Sequence, residues 1–163
     1  MASAITALAT TTLGANASSV TFSSIPATYR DLRLVVSGAE SAAGSTDARL
    51  RANGDAGLNY TRVYIFGDGA SAVSGTNTMT EFQAWYAADT VGNAIIDIMD
   101  YAQTDKHKTL LTRSNNASAT SNGTSAQAQR WASTAAITSL TWSLTSTYTF
   151  NAGTTISLFG IVS

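Results

Sequence analysis

The chain has 163 residues, a length that suits one domain with a real hydrophobic core. Charged residues make up 12%, against a usual share near 25%, and nine Lys and Arg are dispersed among ten acids for a net charge of −1. This excludes the clustered cations that nucleic-acid binding needs, and the absence of cysteine excludes disulfides and thiolate chemistry.

The first residues show no positive region and no long apolar run, so neither a signal peptide nor a membrane span is expected. Residues 2–16 are rich in Thr and Ala, with sparse apolar positions at Ile5, Leu8 and Leu13. Two readings stand side by side. The segment is an extended arm that adds a strand to a neighbour's sheet, or a first edge strand on its own domain. Residues 18–23 alternate and predict a short strand. A turn follows around Pro26, the single proline, and then residues 31–37 give the clearest core strand of the N-terminal half.

After a small-residue loop over 38–46, residues 48–52 predict a strand with Arg49 and Arg51 on one face. Asn53-Gly54-Asp55 is a hairpin-type turn signal. Residues 60–66 alternate as another strand, stopped by Gly67-Asp68-Gly69. Residues 70–80 and 115–125 are polar, rich in Ser, Thr, Gly and Asn, and are expected to be long surface loops open to binding. Between them lie expected strands over 82–87, 93–99 and 109–113, with a charged turn over 104–108. A further strand is expected over 126–132.

The last 27 residues end the chain with two more strands. Ile137, Leu140, Trp142 and Leu144 belong to the first; Ile156, Leu158 and Ile161 belong to the second; Asn151-Ala152-Gly153 turns between them. The last strand is expected to close the sheet. With no convincing helix, the pattern predicts an all-β fold, an antiparallel β-sandwich or jelly roll of about eight to ten short strands. The domain plan is an arm or edge strand over 1–16 and one β-sandwich domain over 17–163.

No catalytic, cofactor-binding or metal-binding constellation emerges. His107 stands alone between Lys106 and Lys108, without partners spaced for metal or nucleophile chemistry. The acids are scattered, and nothing selects a glycosidase-like pair such as Glu81 with Asp97. The Asn53–Gly57 stretch lacks the ligand spacing of a calcium loop, and turn formation explains it better. Trp142 alternates with Leu140 and Leu144 and belongs to the core. Trp85, Tyr86 and Trp131 are the aromatics that could be exposed as a sugar platform or a subunit contact.

Three segments carry a family resemblance. One is the ending, Ile137-Thr-Ser-Leu140 with Trp142, then Phe150, Gly153 and Thr155-Ile-Ser-Leu-Phe-Gly-Ile161. The others are Ser24-Ile-Pro-Ala-Thr-Tyr-Arg-Asp-Leu-Arg-Leu34 and Leu50-Arg-Ala-Asn-Gly-Asp55 with Asn59-Tyr60. This pattern resembles small virion proteins of tailed bacteriophages and the terminal domains of some phage tail fibres. The resemblance implies a structural virion protein and not an enzyme. Its most favoured form is a capsid cement or decoration protein, made in the host cytoplasm and placed on the capsid exterior. The partner would be the major capsid protein, without nucleic acid, membrane or cofactor. A homotrimer is implied, with Arg49, Arg51 and Arg62 available for subunit contacts. The residue 2–12 arm, through Ile5, Leu8 and Leu13, would strap neighbouring subunits. The alternative is a tail-fibre or receptor-binding tip that contacts tail proteins or host glycan, with the Trp85-Tyr86 region and the two polar loops forming the site and Trp131 as a further candidate exposed aromatic.

Overall fold

The computed structural model describes residues 4–41, 45–117, 122–145 and 147–162. Among them are twelve strands and no helix. They are β1 (Ile5–Thr12), β2 (Ser19–Phe22), β3 (Asp31–Gly38), β4 (Ser45–Ala52), β5 (Tyr60–Gly67) and β6 (Ala72–Met79). Then come β7 (Phe82–Ala88), β8 (Gly92–Met99), β9 (Lys108–Ala117), β10 (Asn122–Trp131), β11 (Leu140–Leu144) and β12 (Thr155–Ile161). All ladders are antiparallel. An eight-stranded sheet runs β1-β12-β3-β8-β9-β10-β5-β6, and a four-stranded sheet runs β2-β11-β4-β7. The fold is a β-sandwich.

Period-two patterning accounts for the facing. In β3, Leu32, Leu34 and Val36 are fully buried, and Ile96 and Ile98 of β8 and Ile156 and Leu158 of β12 meet them across the ladders. The small sheet answers with Leu50, Phe82, Leu140 and Trp142, all fully buried.

The two sheets are folded from a single strip. Each of the pairs β1/β2, β3/β4, β7/β8 and β11/β12 crosses from one sheet to the other, and the strand order is the same on both sides: β1-β12-β3-β8 above, β2-β11-β4-β7 below. The crossovers keep that order. Ala17 bridges Phe150, Phe150 bridges Glu40, and the Glu40 N–H donates to the Ala88 carbonyl at 2.7 Å. This crease joins the layers by backbone hydrogen bonds, and the fully buried Phe150 ring fills it.

Three expectations need correction. Residues 70–80 are not a loop: Ala72–Met79 is β6, paired with β5 over its whole length. It showed no strand signal because its side chains are mostly exposed and need not be apolar. Residues 115–125 likewise belong mostly to β9 and β10, whose buried ends carry Ser114, Asn116 and Ser125 in place of apolar residues. The Ser114 and Ser125 hydroxyls satisfy each other at 2.8 Å, which lets a polar pair sit inside. Residues 137–139 are not strand; β11 starts at Leu140, and Ile137 reaches the core from a loop whose N–H bonds the Tyr101 carbonyl.

Of the two readings of the N-terminus, the edge strand is the one the chain adopts. Ile5–Thr12 is an edge strand paired with β12, and Leu8 and Leu13 pack against the chain's own core. Leu13 exchanges backbone bonds with Thr154 and Gly153. These two leucines are partly buried on the chain's own core, and Ile5, 46% exposed, is the most open of the three.

Candidate protein-interaction surface

Residues directly opposite in an antiparallel ladder point to the same face, so the registers define rows across the large sheet. On the face turned away from the small sheet, one row reads Val35, Ile95, Arg113, Ala126, Ile65. The next reads Arg33, Asp97, Leu111, Ala128, Val63. Toward β5 these rows are apolar and open: Val63 and Ile65 are each 61% exposed and Leu111 is 44% exposed.

The alanines shape this strip. Ala126 and Ala128 form a low floor on β10, with Val63 and Ile65 of β5 as one wall and Leu111 and Arg113 of β9 as the other. The result is two open grooves of about 590 and 410 Å³ along β10. One charge pair on the face is closed on itself, while Arg113 stands at the groove wall. Arg33 donates from Nε to Asp97 at 2.6 Å and from its terminal nitrogen at 3.2 Å, and these bonds hold the guanidinium pKa above its ordinary value.

The opposite face of the same strands is polar and buried. Ser125, Gln127 and Gln129 of β10 and Arg62 of β5 point inward, all at most 8% exposed. Each has partners: Arg62 donates to Asn77 at 3.1 Å and lies 4.3 Å over the Tyr64 ring, and Gln129 reaches the Thr112 hydroxyl at 3.2 Å. The Gln129 amide also accepts from the Gln83 N–H at 3.0 Å and donates to the Gln83 carbonyl at 2.8 Å. A side chain thus closes the backbone of β7, an edge strand of the small sheet. Behind the strip the usual arrangement is inverted, with hydrogen-bonded polar groups inside and apolar groups outside, while toward one end of the same strands Tyr60, Leu110 and Trp131 are buried in the core.

The sequence-derived site residues are dispersed. Trp131 is buried at 2% and is not an exposed platform; its ring stacks on Tyr60 at 6.2 Å and its indole N–H donates to Asp55 at 2.7 Å. The same carboxylate accepts from the Gly57 N–H at 2.8 Å and from Asn59 at 2.9 Å. These three bonds, the Trp131 one foremost, hold the Asp55 pKa below its ordinary value. They also commit the 53–59 segment to turn structure, with Asn53 and Gly54 both at positive φ.

The side chains of Trp85 and Tyr86 lie outside the described residues. Arg49 pairs with Asp47 at 2.6 Å, Arg51 pairs with Glu81, and Arg62 is buried, so each of the three arginines is engaged within its own chain. His107 is exposed in its turn. No group of three or more His, Asp or Glu side chains close enough to hold a metal occurs among the described residues.

The strip on Val63, Ile65, Leu111, Ala126 and Ala128 is assigned by the structure alone. One signal was present in the sequence. In residues 60–66 both parities are apolar, Tyr60-Tyr64-Phe66 and Val63-Ile65, so one set had to face outward or meet a second layer.

Fold and surface together define an antiparallel β-sandwich with an apolar outer face. No protein-family model matches the chain, and no curated relative matches it. A solved alginate lyase in complex with alginate tetrasaccharide is similar over 94% of this chain and 72% of that chain, at 8% identity and a TM-score of 0.26. A likeness at that level carries no argument.

Proposed function

We propose that the protein is a structural virion component of a tailed bacteriophage, a capsid cement or decoration protein that lies on the assembled shell through the outer face of its large sheet. The observation that carries this reading is the exposed strip of Val63, Ile65 and Leu111 around an alanine floor. Contiguous exposed apolar surface on a sandwich marks a protein contact. Covering each of these side chains contributes roughly 1–2 kcal/mol, enough in sum to hold a subunit that also engages its polar rim. The low charge of the chain and its phage-like terminal segments agree with a static assembly role. The alternative is a tail-fibre tip that recognises host glycan through the Trp85-Tyr86 region and the segments over 70–80 and 115–125; Trp131, 2% exposed, is not available to it as a stacking platform.

The test is binding of purified protein to DNA-filled capsids that lack it, read by sedimentation and cryo-imaging. Saturable binding at fixed shell positions, lost in Ile65→Lys without loss of folding, is the expected result. Adsorption to host cells without capsid binding would overturn the cement reading and move the protein to the tail.

A further inference from the structure

A sheet edge carries unpaired N–H and C=O groups, and folded proteins blunt such edges with charge, proline, bulges, shortness or cover. The sandwich has four edge strands, β1, β6, β2 and β7, and none contains Asp, Glu, Lys, Arg or Pro. Three are blunted in other ways. The register of β1 shifts between Ala7 and Ala9. β2 has four residues. The β7 backbone at Gln83 is closed by the Gln129 amide. Among the described residues β6 has none of these devices. It runs eight residues, Ala72–Met79, in unbroken register with β5, with its side chains mostly exposed.

We propose that β6 is a self-association edge: two copies of this chain pair antiparallel through β6, and their large sheets become one continuous sheet. The strand is compatible with itself. Its outward side chains are Ala72, Ser74, Thr76 and Thr78, which lie opposite the outward residues of β5. A two-fold axis normal to the sheet keeps each face on its own side, so outward residues meet outward residues. Centred on Thr76, it sets Thr76 against the second copy's Thr76, Ser74 against Thr78, and the inward Val73 against Met79. In these pairs hydroxyl meets hydroxyl and apolar meets apolar, the pairings that stabilise antiparallel ladders, and Gly75 meets Asn77 without a clash of charge. No charge opposes itself. The acids that flank the strand are engaged within their own chain: Asp68 accepts the Ala70 N–H at 2.9 Å and the Ser71 N–H at 2.6 Å, and Glu81 pairs with Arg51.

The contact is isologous and closes at two copies, whereas a trimer needs a heterologous one. It also sets the two outer faces side by side, so the apolar strips of both copies look the same way. The inference does not depend on what those strips bind.

The test is the mass of the full chain in solution by analytical ultracentrifugation. The expected mass is twice 16.9 kDa. Thr76→Lys and Thr76→Glu, at an exposed position, each set like charges across the axis and are expected to weaken the dimer by at least about tenfold. Mixing the two variants is expected to restore a dimer, because opposite charges then face each other. Ile65→Lys is expected to keep the dimer while losing shell binding, so the two readings fail separately. A wild-type chain that stays monomeric up to about 100 µM, a trimer, or a dimer indifferent to both Thr76 variants would overturn the proposal.

Discussion

Glu40 is the residue at which local chemistry bears most directly on stability. It sits in the crease, fully buried, and among the described residues neither carboxyl oxygen has a partner in good hydrogen-bond geometry. Burial pushes its pKa up from 4.5 to about 7; the Thr46 amide offsets part of this, and Asp89 and Asp47 add repulsion. The folded pKa is above the unfolded one. Its contribution is therefore fully present below about 4.5 and is lost as pH rises through about 7. Glu40→Gln keeps the shape and removes the titration. It is expected to raise stability at pH 8 relative to wild type, by up to about 3 kcal/mol, and to change it little at pH 4. Urea unfolding at the two pH values checks this, and equal shifts at both would refute it. Lys108 is a buried charge handled differently: desolvation lowers its pKa, but its ammonium donates to the Lys106 and Thr134 carbonyls at 2.9 and 3.1 Å. The difference between the two residues is the supply of partners, not the depth of burial.

At the level of elements, strands here are held by pairing as much as by apolar content. β6 exists because β5 offers it a full ladder, and β10 turns Ser125, Gln127 and Gln129 inward because each finds a hydrogen bond. Gln129 is the sharpest case, since its amide replaces a neighbouring strand at Gln83. Gln129→Ala leaves a buried N–H and C=O unmet and is expected to cost about 2–4 kcal/mol. Hydrogen exchange at the Gln83 amide should accelerate more than at amides in β3. If exchange at Gln83 is unchanged, the side chain is not what protects that edge. β1, by contrast, is held by backbone pairing to β12 and by the Thr10–Ser157 and Thr12–Thr155 hydroxyl pairs. Its removal uncovers β12 and cannot act as a clean deletion of a flexible strap.

For the whole molecule, the crease means that neither sheet is an independent unit. Ala17, Phe150, Glu40 and Ala88 bond in sequence across it, and Phe150 is buried where the layers join. Phe150→Ala is expected to cost about 3–5 kcal/mol and to destabilise both sheets together. Far-ultraviolet and aromatic near-ultraviolet circular dichroism should then report one coincident transition in wild type and variant alike. Separate transitions would show that the sheets unfold independently and that the crease does not couple them.

Local patterning of side chains is enough for the class of fold and for most of its strands. Where burial is one-sided and apolar, as in Leu32-Leu34-Val36 or Leu140-Trp142-Leu144, a period of two leaves one solution. It also determined the Asn53-Gly54 turn, because few residues accept two consecutive positive φ angles. Tertiary structure decided the rest, wherever a residue's surroundings come from distant segments. Trp131 beside Arg130 reads as polar context until Asp55, Tyr60 and Phe82 are brought together, Trp131 stacking on Tyr60 and bonding Asp55. Ala126 and Ala128 face outward and the intervening glutamines inward because partners for the amides lie on β9, β5 and β7. The apolar strip and the unguarded β6 edge arise from strand order, and strand order is a property of long-range pairing that no local window contains.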